Sequence, residues 1–151
     1  LIKCKMILNH GFKLGYPWVQ DVIKGKLNYL IRSMNTNIRG RVAVIASSGV
    51  DQYWLKNAKY KDIKNIGDFI KGIVGSVEIK DCIEVKKENL KNKLFQLAGK
   101  NYWEYYPKHL IPKSSNKFVY IWTIKNEKEW ENPIKFKSRG RTWVNVDLKD
   151  E

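Results

Sequence analysis

The stretch GYPWVQDVIKGKLNYLIRSMNTNIRGRVAVIA, from Gly15 to Ala46, constrains the fold most, because its apolar period changes from helical to extended within one short segment. Pro17 has a fixed φ and no N–H, which suits the first turn of a helix, and Trp18, Val19, Val22 and Ile23 then share one helical face. Gly25 supplies the left-handed residue that ends such a helix. From Asn28 the period is two: Tyr29 and Ile31 point one way, Asn28, Leu30 and Arg32 the other. Ser33 to Arg39 is a polar loop with Asn35, Thr36 and Asn37 as turn formers, and Gly40 returns the backbone to a strand through Val42, Val44 and Ala46. A helix and two strands so close in sequence need a sheet to receive them. They also set Arg32, Asn35, Thr36 and Arg39 at the mouth of one loop, where polar groups converge on a ligand.

The remaining chain reads as further short strands and helices. Ile2, Cys4, Met6 and Leu8 alternate as a first strand within Leu1 to Leu14, with a loop at His10-Gly11. Ser47-Ser48-Gly49 is a turn, and Asp51 caps a short helix carrying Tyr53, Trp54 and Leu55. Asn57 to Lys71 is Lys-rich and irregular, anchored by Ile63, Ile66 and Phe69. Lys71 to Val85 is a long strand in which Gly75 marks a bulge or a close backbone approach. Glu88 to Gly99 has helical spacing in Leu90, Leu94 and Leu97. After the aromatic run Tyr102-Trp103-Glu104-Tyr105-Tyr106 and a Lys-rich linker, a strand is expected at Phe118 to Ile124, a turn at Asn126 to Trp130, a short edge strand at Ile134 to Lys137 and a last strand at Arg141 to Val146. Many short strands with two or three small helices point to a compact α+β mixed barrel rather than a sandwich or a doubly wound sheet.

At 151 residues the chain makes one domain, 1–151, long enough to bury about two-thirds of its unfolded surface. No apolar run approaches the roughly 20 residues of a membrane span, and no signal-peptide pattern is present, so no membrane role is expected. Cys4 and Cys82 lack paired spacing and read as reduced thiols of an intracellular protein, cytoplasmic or nuclear. The balance of 29 basic against 15 acidic residues gives +14, which favours a polyanionic partner. Scattered lysines alone are a solvated surface. The five arginines are more informative, since Arg32, Arg39 and Arg41 lie in the first stretch and Arg139 and Arg141 near the end, so that one barrel joins them into a patch suited to phosphate.

Pro17-Trp18, Gly25-Lys26, Arg32, Asn35-x-Asn37 and Arg39-Gly40, followed by Gly72 to Glu78, Tyr120-Ile121-Trp122 with Asn126, Asn132-Pro133-Ile134 and Gly140-Arg141-Thr142-Trp143, resemble in order the segments of the ASCH domain. The resemblance spans almost the whole chain and implies a small mixed PUA-like β-barrel flanked by short helices, associated with RNA. It places Arg32 at the family's arginine. Some relatives resemble amidohydrolases acting on acetylated cytidine, but the positions matching their lysine and their threonine or glutamate are Leu27 and Leu30, neither of which activates a nucleophile or moves a proton. Glu78 matches the remote acid.

The expectation is therefore a binder of single-stranded or unpaired RNA with no cofactor and no metal site. Arg32, Arg39, Arg41, Arg139 and Arg141 hold phosphates, with Lys26 beside them; Trp18, Trp103 and Tyr105 offer stacking faces, one base lodges near Trp18 and the Asn28 to Thr36 loop, and Asn35 and Thr36 read its edge. Two alternatives stand beside it: a metal-independent ribonuclease in the same groove, and a modified-nucleoside pocket with the amidohydrolase residues lost. His10 and His109 are the only histidines, and the sequence does not bring them together.

Overall fold

The computed structural model describes residues 6–57, 71–113, 116–137 and 141–151. Within them, β1 (Ile7–Tyr16), α1 (Trp18–Ile23), β2 (Tyr29–Arg32), β3 (Gly40–Val50), α2 (Gln52–Asn57), β4 (Gly72–Lys86), α3 (Leu90–Ala98), α4 (Lys100–Tyr105), β5 (Phe118–Ile134) and β6 (Trp143–Lys149) follow in order. The architecture is mixed α+β. Six strands form one sheet in the order β2-β5-β4-β3-β1-β6, with β1 and β3 parallel and the other neighbours antiparallel. No described helix is long and apolar enough to cross a membrane.

The expected barrel is not closed by backbone pairing among the described residues, since β2 and β6 stand at opposite ends of the order. The sheet is nevertheless strongly curled. Phe12 on β1 and Trp122 on β5 are three strands apart, about 14 Å in a flat sheet, yet their rings lie 6.1 Å apart. Trp143 on β6, one strand further, stacks on Trp122 at 5.2 Å. An aromatic plug thus fills the curl between strands that share no ladder. The central strand β3 separates two apolar clusters: Val42, Val44 and Ala46 face one with Phe12, Val19, Leu30 and Trp122, while Ala43 and Ile45 face the other with Leu8, Ile73 and Trp130.

Local signals explain the helices. Pro17 precedes α1, whose Val19, Val22 and Ile23 are buried, and Gly25 follows at φ +78°. A Cβ at Gly25 would stand 2.3 Å from Glu127 Oε1. Asp51 Oδ1 accepts the Trp54 amide at 3.1 Å and caps α2 as expected. Gly75 answers to both readings of its position: the β4–β5 register shifts between Ile73 and Gly75, and a Cβ there would meet Lys128 O at 2.2 Å.

Three expected breaks are strand instead. β1 runs straight through His10-Gly11, absorbing a register shift against β6 between Leu8 and His10. β3 continues through Ser47-Ser48-Gly49, because β1 pairs with it as far as Tyr16 and Val50. The turn expected at Asn126 to Trp130 is strand, part of β5, in which Asn126 takes φ 53° and the pairing with β4 slips rather than ends, whereas the edge strand expected at Ile134 to Lys137 does not form, since β5 ends at Ile134 and 135–137 are irregular. Residues 1–5, which carry Cys4, and Ile63, Ile66 and Phe69 lie outside the described residues.

Candidate nucleic-acid interface

β2 is a sheet edge, and its amides define the site. Leu30 and Arg32 face β5, leaving Tyr29 and Ile31 with backbone groups on the open side. Two tyrosines four residues apart close that side. The Tyr102 hydroxyl accepts the Tyr29 amide at 2.9 Å and donates to the Tyr29 carbonyl, and the Tyr106 hydroxyl accepts the Ile31 amide at 2.9 Å. Burial raises the Tyr102 phenol well above its usual range and pushes Tyr106 up to about 12. Both therefore stay protonated hydrogen-bonding groups at neutral pH. The aromatic run is in this part an edge seal, a role that needs a partner strand the sequence does not point to.

With its edge sealed, β2 presents Arg32 at its end. The guanidinium lies half-buried 5.3 Å over the Trp122 ring, and Nη2 donates to Thr142 Oγ1 at a long 3.4 Å. No carboxylate among the described residues pairs with it, and burial lowers its pKa from the usual arginine value. A cation withdrawn from water with most of its five donors uncommitted is built to receive an anion. The Trp143 indole N–H, next in sequence to Thr142, is buried without an acceptor among the described residues.

The loop after β2 holds itself. Thr36 is buried and its hydroxyl accepts the Ile38 amide at 3.1 Å, so it shapes the loop rather than facing a base. Asn35 is exposed. Arg39 is exposed, donates to the carbonyls of Thr36 and Ile38 and lies 3.8 Å from Asp81. Arg141 is exposed beside Thr142, while Arg139 lies outside the described residues.

Most of the other expected ligand residues are engaged elsewhere. Arg41 is consumed by the fold: it donates to Ser76 Oγ and the Asn126 carbonyl, each at 2.9 Å, and lies 3.5 Å from Glu78 and 3.7 Å from buried Asp150. Asp150 also accepts from Trp130 Nε1 at 2.8 Å. Trp18 Nε1 donates to Asp51 Oδ2 at 2.6 Å, and the same carboxylate meets His109, whose ring stacks under exposed Tyr53 at 4.3 Å. Burial would raise the Asp51 carboxyl, but the bonds from His109, Trp18 and the Trp54 amide outweigh it and hold it low. Trp103 lies under the Lys108 ammonium at 4.5 Å, and Tyr105 donates to Asp21 at 2.6 Å. Lys26 is exposed, and the Asn28 carbonyl accepts the Ile124 amide at 2.8 Å.

The catalytic alternatives find little support in the same geometry. Leu27 and Leu30 are core residues at 1% and 3% exposure. Glu78 is held ionised by Lys80 at 2.7 Å, with Asn126 and Arg41 beside it, and its carboxyl is lowered accordingly. His10 sits on β1 opposite Asn145, and His109 is bound to Asp51.

One further surface feature has little signature in the sequence. Between the end of β4 and α3 lies a cleft of about 630 Å³ lined by Lys86, Asn89, Asn92, Lys93, Gln96 and Phe118, among others. The only signal in the sequence is Lys117-Phe118 opposite Lys86, which becomes informative only once the β4–β5 register is known.

Superposition on solved structures decides the fold. The ASCH protein of Zymomonas mobilis superimposes at a TM-score of 0.55 and 9% identity, covering 91% of this chain and 86% of that one. Two single-site mutants of it superimpose at 0.53 and 0.54, each at 10% identity and covering 91% of this chain and 88% and 87% of theirs. The chain has an ASCH-like fold. No protein-family model matches the sequence, and no curated protein is detectably similar to it. At 9–10% identity the likeness is one of fold, and function is argued from the residues at the end of β2.

Proposed function

We propose that this chain binds RNA through single-stranded or unpaired segments at the Arg32 end of β2. The observation that carries the reading is the half-buried Arg32 guanidinium, seated on Trp122 without a carboxylate among the described residues. Phosphate suits it better than carboxylate, because a net charge of +14 draws polyanions and Arg39 and Arg141 stand exposed on the neighbouring loop segments. Asn35 supplies donor and acceptor for an unpaired base edge. An RNA partner accords with a cytoplasmic or nuclear protein.

Arg41, Thr36, Trp18, Trp103 and Tyr105 leave the ligand list in this reading, since each already serves the fold. The test is titration of labelled single-stranded RNA against the protein and its Arg32→Ala variant at two salt concentrations. Binding that falls with salt and weakens at least tenfold in the variant supports the proposal, because hydrogen bonds to a charged group contribute about 1.5–3 kcal/mol. Tight binding of a free nucleoside in preference to the oligonucleotide would favour the small-ligand pocket instead. Turnover of RNA that is lost in the Arg32→Ala variant would favour a ribonuclease.

A further inference from the structure

The start of β5 carries an aromatic row that leads outward from Arg32. Residues two apart on a strand share a face, so Trp122, Tyr120 and Phe118 point the same way. Their exposure rises in that order: Trp122 is fully buried, Tyr120 half-buried and Phe118 36% exposed. The sheet register sets the flanking groups on the same face. Arg32 and Glu84 lie on either side of Tyr120, and Lys86 lies beside Phe118. Lys117 adjoins Phe118 in sequence and lines an open pocket of about 420 Å³ with Lys86, Lys87 and Glu88. Lys93 of α3 faces the adjoining cleft.

We infer that this row is a stacking track for unpaired RNA, extending the Arg32 site outward along β5. Successive bases lie on Tyr120 and Phe118, Arg32 takes the phosphate at the inner end, and Lys86 and Lys117 take phosphates at the outer end. An exposed aromatic on a sheet surface flanked by lysines is suited to single strands, since every base offers a π-face and adjacent cations hold the backbone. Glu84 repels phosphate on its side of Tyr120, which keeps the backbone on the side of Arg32. The inference rests on the RNA reading above and adds where the strand runs and how many bases it engages.

The experiment is anisotropy of a fluorescein-labelled single-stranded RNA hexamer with the whole protein, its Phe118→Ala variant and its Lys86→Ala/Lys117→Ala variant. All three substitutions are at exposed positions, so folding is retained, and melting curves check that. Phe118→Ala is expected to weaken hexamer binding about five- to 150-fold, the loss of one stacked base at about 1–3 kcal/mol. The double lysine variant should reduce the salt slope by about 1.4, two phosphates at roughly 0.7 each. As a second measurement, a 4-thiouridine hexamer irradiated in the complex should crosslink to the peptide holding Phe118 and Tyr120. If the wild-type protein binds the hexamer and Arg32→Ala weakens it, but Phe118→Ala stays within twofold and the crosslink falls elsewhere, the track is overturned and the RNA reading survives. If the wild-type protein binds no RNA, both fall.

Discussion

Replacing Tyr106 by Phe tests the idea that hydroxyls from the helical aromatic run seal the sheet edge that carries Arg32. The ring is 3% exposed and Phe keeps its volume, so packing is conserved and only the oxygen is removed. That oxygen accepts the Ile31 amide at 2.9 Å, on the side of β2 away from β5. Without it the amide is buried and unpaired, at a cost of about 1–3 kcal/mol. With a urea m-value near 2 kcal/mol/M for a chain this size, the unfolding midpoint should fall by about 0.5–1.5 M with the slope unchanged. Amide hydrogen exchange locates the effect: Ile31 should lose protection, whereas Val119, buried on the paired strand β5, should not. A midpoint within about 0.2 M of wild type, with Ile31 still protected, would refute the reasoning and mean that β2 is held by β5 and the core alone.

Four further outcomes follow from the same contacts. Arg41→Ala strands buried Asp150 and half-buried Glu78, and should destabilise the fold by about 3 kcal/mol in urea unfolding; a change below about 1 kcal/mol would contradict a structural role. Gly75→Ala drives a methyl into the Lys128 carbonyl and Ile23 Cδ1, and thermal melting should show a loss of about 2 kcal/mol or more. Asp51 has a lowered folded pKa, so the stability it adds is present above the unfolded carboxylate pKa of about 4 and is lost as pH falls through the lower folded value. Stability measured against pH should therefore drop more steeply below about pH 4 in wild type than in Asp51→Asn. Tyr102 and Tyr106 have raised pKa values, so absorbance titration should find at least two phenols that ionise only above the ordinary tyrosine range of about 10.

Local chemistry was legible in the sequence where a residue does its work within its own turn. Pro17 before α1, Gly25 after it, the Asp51 cap and the close approach at Gly75 all stand where their neighbours require them. The breaks expected at His10-Gly11, Ser47-Ser48-Gly49 and Asn126 are absent for one reason: turn-forming residues continue as strand when a neighbour supplies a ladder and a register slip absorbs the irregularity. That neighbour is distant in sequence. The candidate site divides in the same way. The alternation of its own strand sets Arg32 on a definite face, and its guanidinium lies over the Trp122 ring. Arg41 has the same local signal, but Asp150, from the far end of the chain, and Ser76 stand beside it and engage it in the fold. The tyrosines of the aromatic run read locally as a nucleic-acid surface, because nothing in their own stretch shows that a hydroxyl will meet an edge amide on β2.

The most direct measurement is the affinity of a short single-stranded RNA for the wild-type protein, for Arg32→Ala and for Lys56→Ala, an exposed lysine on α2, at two salt concentrations. The account predicts salt-dependent binding that Arg32→Ala weakens at least tenfold and Lys56→Ala no more than about twofold. Equal effects of the two substitutions would reduce the interaction to generic charge, and the absence of salt-sensitive binding by the wild-type protein would contradict the RNA reading itself.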